Sequence, residues 1–331
     1  MKKILLILMV MMLSLGLFAA CADKKTGEVD QNGAKTTIKI ASLKGPTSMG
    51  LAKLMADNEE GTTANDYDFQ IKGTADEIVT QIVSGEIDAA AVPCNLSSVL
   101  YNKTEGNIKV AAINTLGVLY ILENGQNISA LTDLKDKTVY STGKGTTPEY
   151  VLNYLLEAND LDPQKDVKIE FKSESTELAA LLNEDKEIIA VLPEPYVTTV
   201  TTKNPDVRIA LSFTEEWDKV AQDDSSLVTG VLIVRNDFLE NNPEAFEAFL
   251  KEYQASTEFV NANPAESAVW IDQYGIVAKD IAEKAIPNSN ITFLTGQEMA
   301  DKVGGYLKAL HGQDPQAVGG TLPDDNFFYI K

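Results

Sequence analysis

Four short stretches hold the groups that could do chemistry. Lys44-Gly45-Pro46-Thr47-Ser48 and Lys144-Gly145-Thr146-Thr147 each place a lysine, a glycine and hydroxyls in one turn. Pro93-Cys94-Asn95 offers a thiol and an amide, and Pro193-Glu194-Pro195-Tyr196 a carboxylate and an aromatic ring with a hydroxyl. This is equipment for holding a small molecule by hydrogen bonds. It is poor equipment for bond breaking. The only histidine is His311 and the only cysteines are Cys21 and Cys94. A metal site of imidazole and thiolate is therefore excluded, and no metal or cofactor is expected. Glu194 stands without a second carboxylate, so no acid–base pair is in view. Arg208 and Arg235 are the only arginines, and neither falls in these stretches.

The elements that must position these groups alternate as short strands and helices, the pattern of an α/β fold with largely parallel sheets. A strand over 37–43 leads through the first turn into a helix over 48–58. Strands over 67–72 and 87–92 follow, separated by a helix over 76–84 that Gly85 closes. The order then returns: strand 137–141, the second turn and its helix, strand 167–172, helix 176–183 and strand 187–192. Shifting the sequence by 100 residues superposes Lys44-Gly45-x-Thr47 on Lys144-Gly145-x-Thr147. It also places Lys72 on Lys172, Glu77 on Glu177, Ala90 on Ala190 and Pro93 on Pro193. Two matching lobes are the economical reading. Ligands of open parallel sheets bind beyond the carboxyl ends of strands, near helix starts. Thr147, followed by Pro148, is expected to cap its helix, and Thr47 or Ser48 to cap the first. Two such turns facing each other would line a cleft, although each could also merely close a turn. The prolines could likewise just end the strands, leaving Cys94 a small buried residue and Glu194 a structural acceptor. Lys44 and Lys144 are either solvated or an anion-binding pair.

The chain opens with Lys2 and Lys3, an apolar run from Ile4 to Ala20, and Phe18-Ala19-Ala20-Cys21. A basic start and a short apolar core describe an export signal over 1–20, with Cys21 as the residue to be lipidated. An ordinary secreted protein cut nearby is the alternative. Residues 21–35 are polar and glycine-dotted and read as a tether. Loss of Lys2 and Lys3 with the signal would shift the formal charge from −21 to −23. So acidic a chain is repelled by phosphate backbones, so no nucleic-acid partner is expected.

The chain resembles the substrate-binding lipoproteins of ABC importers, in the branch of sulfonate, taurine and thiamine-precursor binding proteins. The resemblance rests on IVSGEIDAAAVPCNLSSVLY, ISALTDLKDKTVYSTGKGTTPEYVLNYLLE, VLPEPY and VLIVRNDFLENNPEAFEAFLKEYQASTEFVNANPAES. It implies a type II periplasmic-binding-protein fold with one lobe at 36–125 plus 228–331 and another at 126–227. A two-strand hinge near 119–124 and 227–234 would join them. It further implies a monomeric, non-enzymatic protein, lipid-anchored on the outer face of the cytoplasmic membrane. Its partners would be a small solute and an ABC permease with its ATPase. Enzymes of the same fold, such as menaquinone-pathway dehydratases, and a ligand-presenting sensor module are the alternatives. Thiamine-precursor binders carry aromatic residues after the first strand. Ser42-Leu43-Lys44-Gly45-Pro46 has none, which leaves Tyr150 or Tyr196 to stack a ring.

Overall fold

The computed structural model describes residues 35–184, 187–221 and 224–331. The expected signal, Cys21 and nearly all of the expected tether lie outside them. The first stretch of chain runs β1 (Thr37–Leu43), α1 (Pro46–Met49), α2 (Ala52–Glu59), β2 (Asp66–Lys72), α3 (Ala75–Ser84), β3 (Ala89–Pro93), α4 (Cys94–Lys103) and β4 (Ile108–Leu116). After β5 (Leu119–Glu123) the same order recurs as β6 (Thr138–Thr142), α5 (Thr147–Ala158), β7 (Lys168–Lys172), α6 (Ser175–Glu184), β8 (Ile189–Pro193), α7 (Tyr196–Lys203) and β9 (Arg208–Ser212). The 100-residue offset is kept to the residue between α3 and α6 and between β3 and β8. The local reasons are plain in α3, which buries Ile78 and Ile82 and ends at Gly85 in the left-handed conformation, φ 77°. Glycine adopts that conformation without steric cost, which is why the helix stops there.

The chain continues through α8 (Phe213–Val220), β10 (Val228–Arg235), α9 (Asn236–Asn241), α10 (Pro243–Ala262), α11 (Pro264–Gln273), α12 (Lys279–Ala285), β11 (Ile291–Leu294) and α13 (Gly296–Gln313). One sheet has the order β11-β4-β10-β3-β1-β2 and the other β7-β6-β8-β5-β9. Five strands of each correspond one to one, β2-β1-β3-β10-β4 with β7-β6-β8-β5-β9. Both sheets are mixed: in each five-stranded set one strand runs against four parallel ones. β1, β2 and β3 run together, as do β6, β7 and β8, but β10 and β5 run against their neighbours. Each reversed strand enters its sheet directly from a crossing, and so starts at the edge where β3 or β8 ends. β5, which a boundary at residue 125 would give to the first lobe, pairs with β8 and β9. The strands expected to bridge the lobes each lie within one sheet.

The crossings are the short links at 117–118 and 224–227, at the starts of those strands. They meet at Gly117, where an added Cβ would lie 2.3 Å from Thr214 Oγ1 and 2.6 Å from Leu227 Cδ2. Only a glycine lets these two links approach so closely. The Gly117 carbonyl accepts from Asn290 Nδ2 at 2.5 Å and Thr214 Oγ1 at 3.2 Å. Beside the crossings one apolar cluster spans both sheets. It runs from Ile113 and Val231 through Met299 and Tyr306 of α13 to Trp217 and Leu155. The last sixty residues thus brace one lobe against the other.

Candidate functional site

The two-residue link from β4 to β5 makes the carboxyl edges of the two sheets face each other. All four stretches singled out above lie at those edges. Their environments repeat: residues 91–100 and 191–200 show the same succession of buried and half-buried positions. Cys94 in one lobe occupies the place of Glu194 in the other, and both are buried.

In the first turn Lys44 is exposed, Gly45 is buried at φ 117°, and Pro46 begins α1. Neither Thr47 nor Ser48 caps the helix, contrary to expectation; the capping position is Gly45. The reason is local competition for their hydroxyls. Thr47 Oγ1 and Ser48 Oγ each donate to the Leu43 carbonyl at 2.7 Å, and Ser48 Oγ also lies 2.7 Å from Ser42 Oγ. These bonds fold the turn back on the end of β1.

In the second turn Lys144, Gly145 and Thr146 are exposed, and Lys144 Nζ lies 5.9 Å from the centre of the Phe171 ring. Thr146, in extended conformation, takes the capping position expected for Thr147, and its hydroxyl donates to the Gly143 carbonyl at 2.5 Å. Thr147 instead reaches across the lobes. Its Oγ1 lies 3.5 Å from Asn95 Oδ1, and its hydroxyl also bonds the Tyr306 phenol. Asn95 Nδ2 donates to the Ala317 carbonyl at 3.1 Å. The partners brought to Thr147 are therefore Asn95 and Tyr306. Cys94 beside them is fully enclosed, and burial pushes its thiol up.

Glu194 forms a second contact between lobes. Its carboxylate accepts from Thr198 N at 3.1 Å and Thr198 Oγ1 at 2.9 Å, and from the side chain of Asn288. It is 2 % exposed. Burial outweighs these donors and pushes its carboxyl up to about 7. Tyr120 alongside donates to the Asn288 carbonyl at 2.6 Å. Burial first, and the Glu194 charge second, push that phenol up to about 12. Tyr196 is half-buried against the apolar core of its lobe.

Sequence reasoning did not find Asn114, Asn288 or Tyr306. Asn114 leaves a signal, a lone amide directly after the apolar run 110–113 of β4. Asn288 sits in an irregular turn with no periodic neighbour, and Tyr306 reads as one more core position of an amphipathic helix.

Residues 53–275 match the family model of the NMT1-like family. The chain belongs to that family. Among solved structures it is similar to an ABC transporter from Parabacteroides distasonis, 25 % identical with a TM-score of 0.74, covering 90 % of this chain and 100 % of that one. It is also similar in fold to the periplasmic aliphatic sulphonate binding protein SsuA from Escherichia coli, at 13 % identity and TM-score 0.69, over 88 % of this chain and 93 % of that one. A ligand-binding component of an ABC-type import system from Staphylococcus aureus gives 17 % identity and TM-score 0.64, over 89 % and 97 %. No curated protein matches the chain. The α/β fold of two lobes is thus the fold of SsuA-type periplasmic binding proteins. Among the described residues no helix is long and apolar enough to cross a membrane.

Proposed function

We propose that this protein captures a small organic solute between the facing carboxyl edges of its two sheets and delivers it to the permease of an ABC-type importer. The observation that carries the reading is the pair of equivalent, mutually facing edges, in a chain similar along its length to an ABC transporter structure. Lys44, Lys144, Gly145 and Thr146 are exposed there, and Pro46, Asn95, Thr147 and Tyr196 half-buried. These supply the solute contacts. Gly45, Thr47, Ser48 and Cys94 are buried and act from beneath, by shaping the turns. Residues 36–116 with 228–331 form one lobe and 119–220 the other, with Glu194–Asn288 and Thr147–Asn95 contacts drawing them together.

The test is mass spectrometry of whatever small molecule the purified protein releases on denaturation, followed by thermal melts with ethanesulfonate, taurine and nitrate. A bound solute at a hundredfold excess over its dissociation constant should stabilise by about 2.7 kcal/mol. If nothing is retained and no compound shifts the melt, the solute reading fails. If the solute returns chemically changed, and the change is lost in Glu194→Gln, the protein is an enzyme of this fold.

Anchoring through a lipidated Cys21 is part of the same proposal and is supported by Phe18-Ala19-Ala20-Cys21. Cys21→Ser should move the protein from the detergent phase to the aqueous phase of a phase separation. Equal partitioning of both forms would dismiss the anchor.

A further inference from the structure

Between Gly230, paired with Thr115, and Val231, paired with Ile113, β4 has one residue more than β10. The extra residue is Asn114. A bulge of this kind re-aims a side chain, and bulges gather beside functional sites. Here the re-aimed group is an amide that is 2 % exposed. Its Nδ2 lies 3.2 Å from the Thr47 carbonyl, inside the first turn, and 3.0 Å from Tyr253 Oη on α10. Both amide hydrogens are therefore used. Oδ1 has no hydrogen-bond partner and rests against Gly230. An added Cβ at residue 230 would lie 2.5 Å from Asn114 Oδ1 and 2.5 Å from Thr47 Cγ2.

We infer that Asn114 is the positioning residue of the β1–α1 turn, and that residue 230 is glycine so that this amide can reach Thr47. The inference rests on the proposed solute role for its functional meaning, because the turn it fixes carries Lys44, Gly45 and Pro46. The amide must point its nitrogen at Thr47: turned over, it would set an acceptor against an acceptor. The turn's own hydroxyls bind only backward, to Leu43 and Ser42. Ser42 Oγ also donates to the Thr47 carbonyl, at 3.4 Å, from the end of β1; among the described residues the side-chain hydrogen bond that ties this carbonyl to β4 is the one that Asn114 makes. Two elements that do not carry the turn, β4 and α10, thereby set its geometry.

Three variants test this. Asn114→Asp keeps the shape and removes the two-hydrogen donor, Gly230→Ala displaces the amide, and Tyr253→Phe removes only the other partner. Amide hydrogen exchange is followed in residues 43–49, with residues 189–193 of the other lobe as reference. Asn114→Asp and Gly230→Ala should speed exchange in 43–49 at least tenfold while leaving 189–193 unchanged. Tyr253→Phe should do so by less than threefold. Unchanged exchange in 43–49, or equal acceleration in both segments, would show Asn114 to be an ordinary core residue and overturn the inference. Ethanesulfonate titration gives the functional arm: where the wild type binds it, Asn114→Asp should weaken binding at least fivefold. Failure of the wild type to bind ethanesulfonate would count against a sulfonate solute alone, because the exchange result stands without it.

Discussion

Glu194→Gln is expected to stabilise the protein at pH 8 and to leave its stability nearly unchanged at pH 4. The Glu194 carboxyl sits at about 7 in the folded chain against 4.5 as its ordinary value, because burial disfavours its charge. Between those two values the folded state holds a proton that the unfolded state has released. Stability therefore falls as pH rises through this window, and the loss is complete above about pH 8. A displacement of this size corresponds to about 3 kcal/mol. Glutamine carries no charge to bury and keeps an acceptor for the Thr198 backbone N–H, so it removes the penalty across the whole range. Urea melts of both forms at half-unit steps from pH 4 to 8 measure the difference directly. Parallel pH profiles would mean that the Glu194 carboxylate is compensated in the folded protein. The prediction also bears on function. Glu194 and Asn288 join the lobes, so a form that is stabler at pH 8 should also exchange more slowly at the lobe contact.

The repeat was the most legible part of this chain. Lys44-Gly45-x-Thr47 recurring at 144–147 and Pro93 recurring at 193 mark equivalent turns and strand ends, and the sheet orders confirm the equivalence. Helix ends such as Gly85 were readable because one residue's conformational freedom decides them. The strand exchange was not readable. β5 and β10 have the same apolar composition as the parallel strands, and nothing in a period-2 pattern records direction. The hydroxyls at 47, 48 and 147 stand out in the sequence, but the partners they take are not the helix N–H groups that capping predicts. Capping is a local preference worth about 1 kcal/mol, and a nearby carbonyl at 43 or an amide at 95 competes on equal terms. Asn288 and Tyr306 act through contacts more than 90 residues away in the chain, which no local pattern shows.

Trp217→Ala should be the most damaging single change outside the candidate site. The indole is fully buried on α8, its ring centre 4.5 Å from that of Tyr154 on α5 and 5.6 Å from that of Tyr306 on α13. Its Nε1 donates to Ser225 Oγ at 3.2 Å, in the link between the lobes. Truncating such a residue removes its transfer free energy and leaves a cavity, together about 3–5 kcal/mol. For a chain of this size the melting temperature should fall by roughly 5–8 °C. The location sharpens the expectation. Tyr154 belongs to the second lobe, while α13 packs on β4 and β10 of the first, so Trp217 is a link of one core shared by both. Calorimetry of the wild type should show one cooperative transition, and Trp217→Ala a lower, broader one as the lobes begin to melt separately. Trp217→Phe keeps a ring in the gap and should lie between them. A loss of less than 1 kcal/mol with a transition as sharp as the wild type's would show that α13 does not couple the lobes. The coupling would then rest on the Glu194–Asn288 and Thr147–Asn95 contacts, which are polar, lie at the cleft, and can break without opening a core.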